Sequence, residues 1–368
     1  MAGAATTTVA AVATVARVVA VAALAGCLPE GAPPWKIDHA IVAAIRVDIA
    51  EPGPYGPTSP RPDRLVAAAM PGDKIRFTPF LIGPDGPLDA GDVAPAWFYC
   101  QATRCFDSVA QPEVLRGCAT EPLGPASTCR IGTGATATLQ LGELSSLGLF
   151  GDPPSVFMVS GTPGGASTAR CLERLRNIAS ATESLRDCIL IVEPLPIGPV
   201  WRLFFLAAFL GLPDAIPLDS IPIEAQSAEP SLYPEVRPFE VTITASDGEA
   251  RELVAVSEDT VAVAPGDTIN IRAPVDPFDA QLYYRTLIGG DGLPVMQAQF
   301  ESFSSSWLLT DAVDEPTYGV QEVTWEVPAG ASGEMYGYYL LSDTRSVVWG
   351  WLRFELSGVS GVPGVSGS

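Results

Sequence analysis

Apolar and polar positions alternate with a period of two along most of this chain after residue 38, in short runs broken by glycine, proline and aspartate. Alternation over four to eight residues predicts half-buried strands. The spacing predicts strands at 41–49 (IVAAIRVDI), around Ile75, Phe77 and Phe80, at 96–100 (AWFYC), at 136–144 and at 155–160. The pattern changes at 168–185, where Leu172, Leu175, Ile178 and Ala179 fall at helical spacing with Arg and Glu on the opposite side. That segment predicts a helical insert leading into a strand at 188–192 (CILIV). Residues 201–212 (WRLFFLAAFLGL) predict a second, buried helix or a lid. It is too short to span a bilayer, which takes about 20 residues.

Residues 213–238 are proline-rich with scattered acids and predict a linker. From Phe239 the chain reads almost purely as strands. EVTITAS, RELVAVS, TVAVAPGDTINIRA, AQLYYRTLI, MQAQFESF, VQEVTWEV, MYGYYLLS and SVVWGWLRFEL follow one another with turn residues between. Such a succession predicts a β-sandwich. The tail 357–368 (SGVSGVPGVSGS) is of low complexity and is expected to be disordered.

One stretch recurs. Ala69-Met70-Pro71-Gly72-Asp73-Lys74-Ile75-Arg76-Phe77 and Val263-Ala264-Pro265-Gly266-Asp267-Thr268-Ile269-Asn270-Ile271 each join an apolar run, a Pro-Gly-Asp turn and an alternating strand. This resembles the passage from strand A′ to strand B of bacterial immunoglobulin-like modules, where a tight turn carries the chain between two sheets. The expectation is a mainly β chain of two immunoglobulin-like β-sandwich domains, 39–212 and 239–356. The first carries a Cys-rich loop and a small helical insert.

The N-terminus has a different character. Residues 1–26 hold one charge, Arg17. The apolar run Val18–Ala25 ends in Leu24-Ala25-Gly26-Cys27. A short apolar segment with small residues before a cut reads as a signal peptide. The last four residues resemble the lipobox of bacterial lipoprotein precursors. That resemblance implies lipid on Cys27, a signal peptide at 1–26 and a tether at 27–38. Residue 28 is Leu rather than Asp, so outer-membrane anchoring is the expectation. A plain secretory signal, giving a soluble secreted module, and a retained helix are the alternatives. In the latter Arg17 would sit mid-span.

Composition narrows the picture. The net charge of −21 excludes electrostatic binding to nucleic acid or anionic lipid headgroups. Beyond Cys27 there are six cysteines: Cys100, Cys105, Cys118, Cys129, Cys171 and Cys188. An even number in an exported chain reads as disulfides. Cys171 and Cys188 bracket the helical insert and are expected to pair. The other four are expected to pair among themselves. A zinc site is the rival, but the x₄ spacing of Cys100 and Cys105 is not the usual close knuckle.

Candidate chemistry is sparse. His39 is the only histidine and sits just before the first strand, so a triad or a HExxH site has little to build on. No cofactor is expected. Asp85, Asp89 and Asp92 form an acidic loop that is a weak Ca²⁺ candidate without EF-hand spacing, and Asp311, Asp314 and Glu315 form a weaker one. The last hairpin is more pointed. With a turn at Asp343-Thr344, Tyr336, Tyr338 and Leu340 share one face with Val347, Trp349 and Trp351. Tyr339, Leu341, Val348, Leu352 and Phe354 share the other. Both faces are apolar, whereas a sandwich hairpin usually has one wet face. Either the first domain or a loop covers the strip, or Tyr336, Tyr338, Trp349 and Trp351 are a platform for a protein or glycan partner. The expected function is a non-enzymatic, lipid-anchored envelope protein with a binding or structural role. An exported hydrolase with an acidic site is the alternative.

Overall fold

The computed structural model describes residues 36–56, 64–101, 104–111, 116–118, 123, 128–142, 154–177, 185, 187–199, 203, 211, 223–226, 231–288, 294–310, 317–331, 333–343 and 345–356. The lipobox, the signal segment, nearly all of 201–212, the linker to residue 230 apart from 223–226, the second acidic loop and the tail lie outside them.

The first half contains β1 (Ile41–Glu51), β2 (Lys74–Gly83), β3 (Gly86–Leu88), β4 (Ala96–Gln101), β5 (Cys129–Thr133), β6 (Ala137–Gln140), β7 (Pro154–Gly161) and β8 (Cys188–Pro194). One sheet has β2 between β1 on one side and β3 and β6 on the other. The second runs β5-β4-β7-β8, with antiparallel pairing throughout. Ile45, Val47, Ile75 and Phe77 from the first sheet meet Trp97, Tyr99, Val156 and Met158 from the second in one buried core. The outer face of the second sheet is also dry. Phe98, Phe157 and Val159 are covered by the helices Cys105–Val109 and Thr168–Arg176. The second helix starts at Ser167, whose hydroxyl accepts from the Arg170 N–H. It ends at Arg176, and residues 178–184 of the expected stretch to Leu185 lie outside the described residues.

The second half contains β9 (Phe239–Thr244), β10 (Ala250–Ala255), β11 (Thr260–Val263), β12 (Thr268–Arg272), β13 (Leu282–Ile288), β14 (Pro294–Phe300), β15 (Ser304–Leu309), β16 (Glu322–Glu326), β17 (Glu334–Ser342) and β18 (Val347–Leu356). Sheets β10-β9-β12-β16 and β11-β18-β17-β15 enclose Phe239, Val241, Ile269, Ile271, Trp307, Trp325, Tyr339 and Phe354. Strand β15 (SSSWLL) does not stand out in the sequence because three serines open it. Pairing with β17 makes it a strand. Strands β13 and β14, expected in the sandwich, form a separate two-stranded ribbon.

The recurring Pro-Gly-Asp stretch forms the same turn twice. Gly72 and Gly266 have φ of 82° and 85°, the left-handed value a type II turn needs after proline. The Asp73 N–H donates to the Met70 carbonyl at 3.0 Å, and the Asp267 N–H to that of Ala264 at 3.1 Å. Each carboxylate accepts from the N–H three residues back, at 2.7 Å from Met70 and 2.8 Å from Ala264. The strands that follow have matching roles. β1, β2 and β6 correspond to β9, β12 and β16, and β4, β7 and β8 to β15, β17 and β18. This is the arrangement of strands A, B, E and C, F, G in immunoglobulin-like sandwiches. Trp97 on β4 and Trp307 on β15 are both fully buried at equivalent places. In the second domain β11 runs parallel to β18. In the first that strand is reduced to one parallel bridge between Ala69 and Ile197.

The end of the expected linker is built into the fold. Ser231, Leu232 and Tyr233 are buried. The Ala67 N–H donates to the Ser231 carbonyl, and the Tyr233 N–H to that of Leu65. The Tyr233 hydroxyl donates to the Val47 carbonyl at 2.6 Å and accepts from its N–H at 2.9 Å, closing the open edge of β1.

Candidate functional site at the domain interface

Alternation along β17 and β18 decides what the last hairpin does. Its loop spans 343–346, and the ladder pairs Ser342 with Val347, Leu340 with Trp349, and Tyr338 with Trp351. This register is two residues from the expected one. A shift of two preserves which residues share a face. The loop is wider because the Asp343 carboxylate accepts from the Arg345 and Ser346 N–H groups, both at 2.6 Å.

Tyr339, Leu341, Leu352 and Phe354 face the second domain's own core. Tyr336, Tyr338, Trp349 and Trp351 face the first domain. There they meet Ala44, Phe80 and Ile82, the outward residues of β1 and β2. Tyr336 and Tyr338 are 6% and 0% exposed, so they are interface residues rather than an open platform. Trp349 and Trp351 are half-buried at its margin. Phe80 stacks on Trp349 with ring centroids 4.9 Å apart and 4° between planes, and meets Tyr338 edge-on at 6.0 Å. The Arg46 guanidinium carbon is 5.6 Å from the centroid of the Trp349 ring. Burial raises the Tyr338 hydroxyl well above the ordinary tyrosine range, and that hydroxyl donates to the Gly83 carbonyl at 3.2 Å. Gly86, at φ 124°, leaves no room for a side chain. A Cβ there would lie 2.9 Å from Tyr336 Cζ.

The far part of the interface is polar. Asp48 is buried between Arg46, whose Nε is 3.0 Å away, and Arg76, whose Nη2 is 3.3 Å away. The buried Glu301 pairs with Arg345 and accepts from the Gln281 N–H at 3.0 Å. Burial pushes the Glu301 carboxyl up, and Arg345 pulls it back. Arg64 donates to the Tyr233 carbonyl and lies 3.4 Å from Asp279, so the connection between domains is tied at both ends. The ties of Arg64 to Tyr233 and of Arg345 to Glu301 are not legible from spacing, because they join residues 169 and 44 positions apart.

The remaining candidates have separate places. The cysteines pair as Cys100–Cys105, Cys118–Cys129 and Cys171–Cys188. The first fixes the helix Cys105–Val109 to β4, and the third fixes the helix Thr168–Arg176 to β8. Asp85, Asp89 and Asp92 do not assemble into a metal-binding group. Among the described residues no group of three or more His, Cys, Asp or Glu could hold a metal ion. Asp89 instead caps the turn Ala90–Val93, accepting from the Gly91 N–H at 2.7 Å. His39 is exposed beside Asp38. Among the described residues no helix is long and apolar enough to cross a membrane.

One feature escapes sequence reading. Glu193 on β8 shares its face with Ile189 and Ile191, which pack into the first domain's core. Burial raises its carboxyl to about 7.

No protein-family model matches the chain, and no curated protein matches it. Among solved structures it is similar to the fibronectin(III)-like modules of Clostridium thermocellum CbhA, at 9% identity over 85% of this chain and 94% of that one, with a TM-score of 0.17. Dimeric latent PorU from Porphyromonas gingivalis matches at 10% identity over 87% and 24%, with a TM-score of 0.21. The Dpr2 Ig1-Ig2 complex with DIP-Theta Ig1-Ig3 matches at 7% over 86% and 66%, with a TM-score of 0.16. The fold class of this chain rests on its own strand pairing. It is an immunoglobulin-like β-sandwich protein of two joined domains.

Proposed function

We propose that this chain is an exported bacterial lipoprotein, anchored through Cys27 and acting without catalysis as a two-domain interaction or structural module of the cell envelope, with a protein or glycan partner. The observation that carries the reading is the pairing of six of the seven cysteines with one another. Disulfides of this kind belong to oxidising compartments. Their pairing leaves Cys27 as the odd cysteine, in the position a lipobox requires. Acyl chains on that residue would contribute about 0.8 kcal/mol per buried CH₂, and more than one chain makes attachment lasting. The union of the domains supports a mechanical or presenting role, because the aromatic strip joins them into one stack.

Metabolic labelling with radioactive palmitate tests the anchor. The wild-type chain takes up label and sediments with membranes, while Cys27→Ser takes up none and is released. Absence of label in the wild type, or label retained by Cys27→Ser, overturns the reading. Protease shaving of intact cells then fixes the side. Cleavage before permeabilisation means that the domains face outward, and protection means that they face the periplasm.

A further inference from the structure

The ribbon of β13 and β14 is joined to no other sheet among the described residues. It is inserted between β12 and β15, and its base is held where Glu301 accepts from the Gln281 N–H and pairs with Arg345. A two-stranded sheet is marginal in water by itself, and an open strand edge is a template for another strand.

The direction of the β14 edge follows from one hydrogen bond. The Glu301 N–H donates to the Gln281 carbonyl at 3.0 Å while the Gln281 N–H turns to the Glu301 carboxylate, so these two face each other in the position of a hydrogen-bonded pair. In an antiparallel ladder such pairs alternate. Gln299, Gln297 and Val295 therefore direct their amides to Tyr283, Arg285 and Leu287. Met296, Ala298 and Phe300 direct theirs away from β13. The strand they lie on, PVMQAQF, holds no charged residue in a chain of net charge −21. Val295, Gln297, Ala298 and Phe300 are exposed, Phe300 at 66%.

We propose that two copies of this chain pair through the outer edges of β14, antiparallel about a two-fold axis at Gln297, to give one four-stranded sheet. The occupant of this edge has to supply an extended strand. Two copies of so acidic a chain repel each other over most of their surface, and an uncharged edge is where that repulsion is least. The strand is also its own complement. About Gln297, Met296 of one copy lies opposite Ala298 of the other, and each N–H meets the other's carbonyl. The Phe300 N–H meets the Pro294 carbonyl, and proline, at the start of the strand, has no donor to leave unpaired. A two-fold pairing of this kind is closed and stops at the dimer.

Sedimentation equilibrium of the full chain carrying Cys27→Ser tests the pairing. The expected result is a dimer whose dissociation constant rises at least tenfold in Gln297→Glu, which sets two carboxylates face to face on the axis, while the two proteins melt alike at dilutions where both are monomers. Gln297 would sit in a non-hydrogen-bonded pair, with Cα atoms about 4.5 Å apart, within disulfide reach. Gln297→Cys is therefore expected to cross-link copy to copy under mild oxidation, while Glu252→Cys on β10 is not. A monomer at about 100 μM, far above any specific affinity worth the name, overturns the proposal. So does a dimer that is indifferent to Gln297→Glu and is not linked by Gln297→Cys.

Discussion

At the scale of single residues, the fold depends on side chains that serve backbone groups. Asp73 and Asp267 each tie their turn to the N–H three residues back, and the Asp73 carboxylate also accepts from Gly53 at 2.6 Å. Burial still pushes the Asp73 carboxyl up, with those two N–H groups acting against it. Glu193 has no such compensation, and burial alone raises it to about 7. The folded chain holds this proton more tightly than the unfolded chain, whose carboxyl titrates near 4.5. The stability linked to it is therefore complete below about pH 4.5 and is lost as pH rises through about 7. Glu193→Gln is expected to remove this slope and to be more stable than the wild type at pH 8 by about 2 kcal/mol. Urea denaturation at pH 5 and pH 8 measures it. Equal slopes in the two proteins would show that Glu193 ionises freely in the folded state.

At the scale of elements, what the sequence made legible was period and parity. The β2 and β12 turns were readable because Pro-Gly-Asp carries its own geometry. The two faces of the β17–β18 hairpin were readable because alternation survives a two-residue error in register. The pairing of Cys171 with Cys188 was readable because the two bracket one helix. Strand β15 was not, since Ser304, Ser305 and Ser306 have no strand signal until β17 lies beside them. Nor was the role of Asp89, whose carboxylate looks like a ligand in sequence and proves to be a cap. The helix Thr168–Arg176 gives a test at this scale. It covers Phe98, Phe157 and Val159 and is fixed to β8 by one disulfide. Replacing Cys171 and Cys188 together by Ala is expected to cost about 3 kcal/mol. It should also raise binding of an apolar dye as the sheet face opens. Unchanged stability and dye binding would mean that packing alone holds the helix.

At the scale of the whole molecule, four sheets are stacked, and the middle contact is as dry as the two sandwich cores at its apolar end. The order is β5-β4-β7-β8, the β1–β2 sheet, β11-β18-β17-β15 and β10-β9-β12-β16. Fully burying an aromatic side chain is worth about 1.5–3 kcal/mol. Burial of Phe80, Tyr336 and Tyr338 is therefore expected to make the domains one cooperative unit. Calorimetry of the wild type should show a single transition. Phe80→Ala combined with Trp349→Ala should split it into two, and a single transition in the double variant would place the coupling elsewhere, at Tyr233 and Arg64. The first described residues of the chain carry a further consequence. The Ile37 N–H donates to the Leu309 carbonyl at 2.8 Å, and Lys36 bridges the same residue, before the chain enters β1. These residues therefore rest on a strand that is made much later in the chain. A chain that emerges N-terminus first must hold Ala44, Phe80 and Ile82 uncovered until β15, β17 and β18 arrive. The first domain can close its own core early, yet the face that carries Ala44, Phe80 and Ile82 is covered only once the strands of the second domain are made.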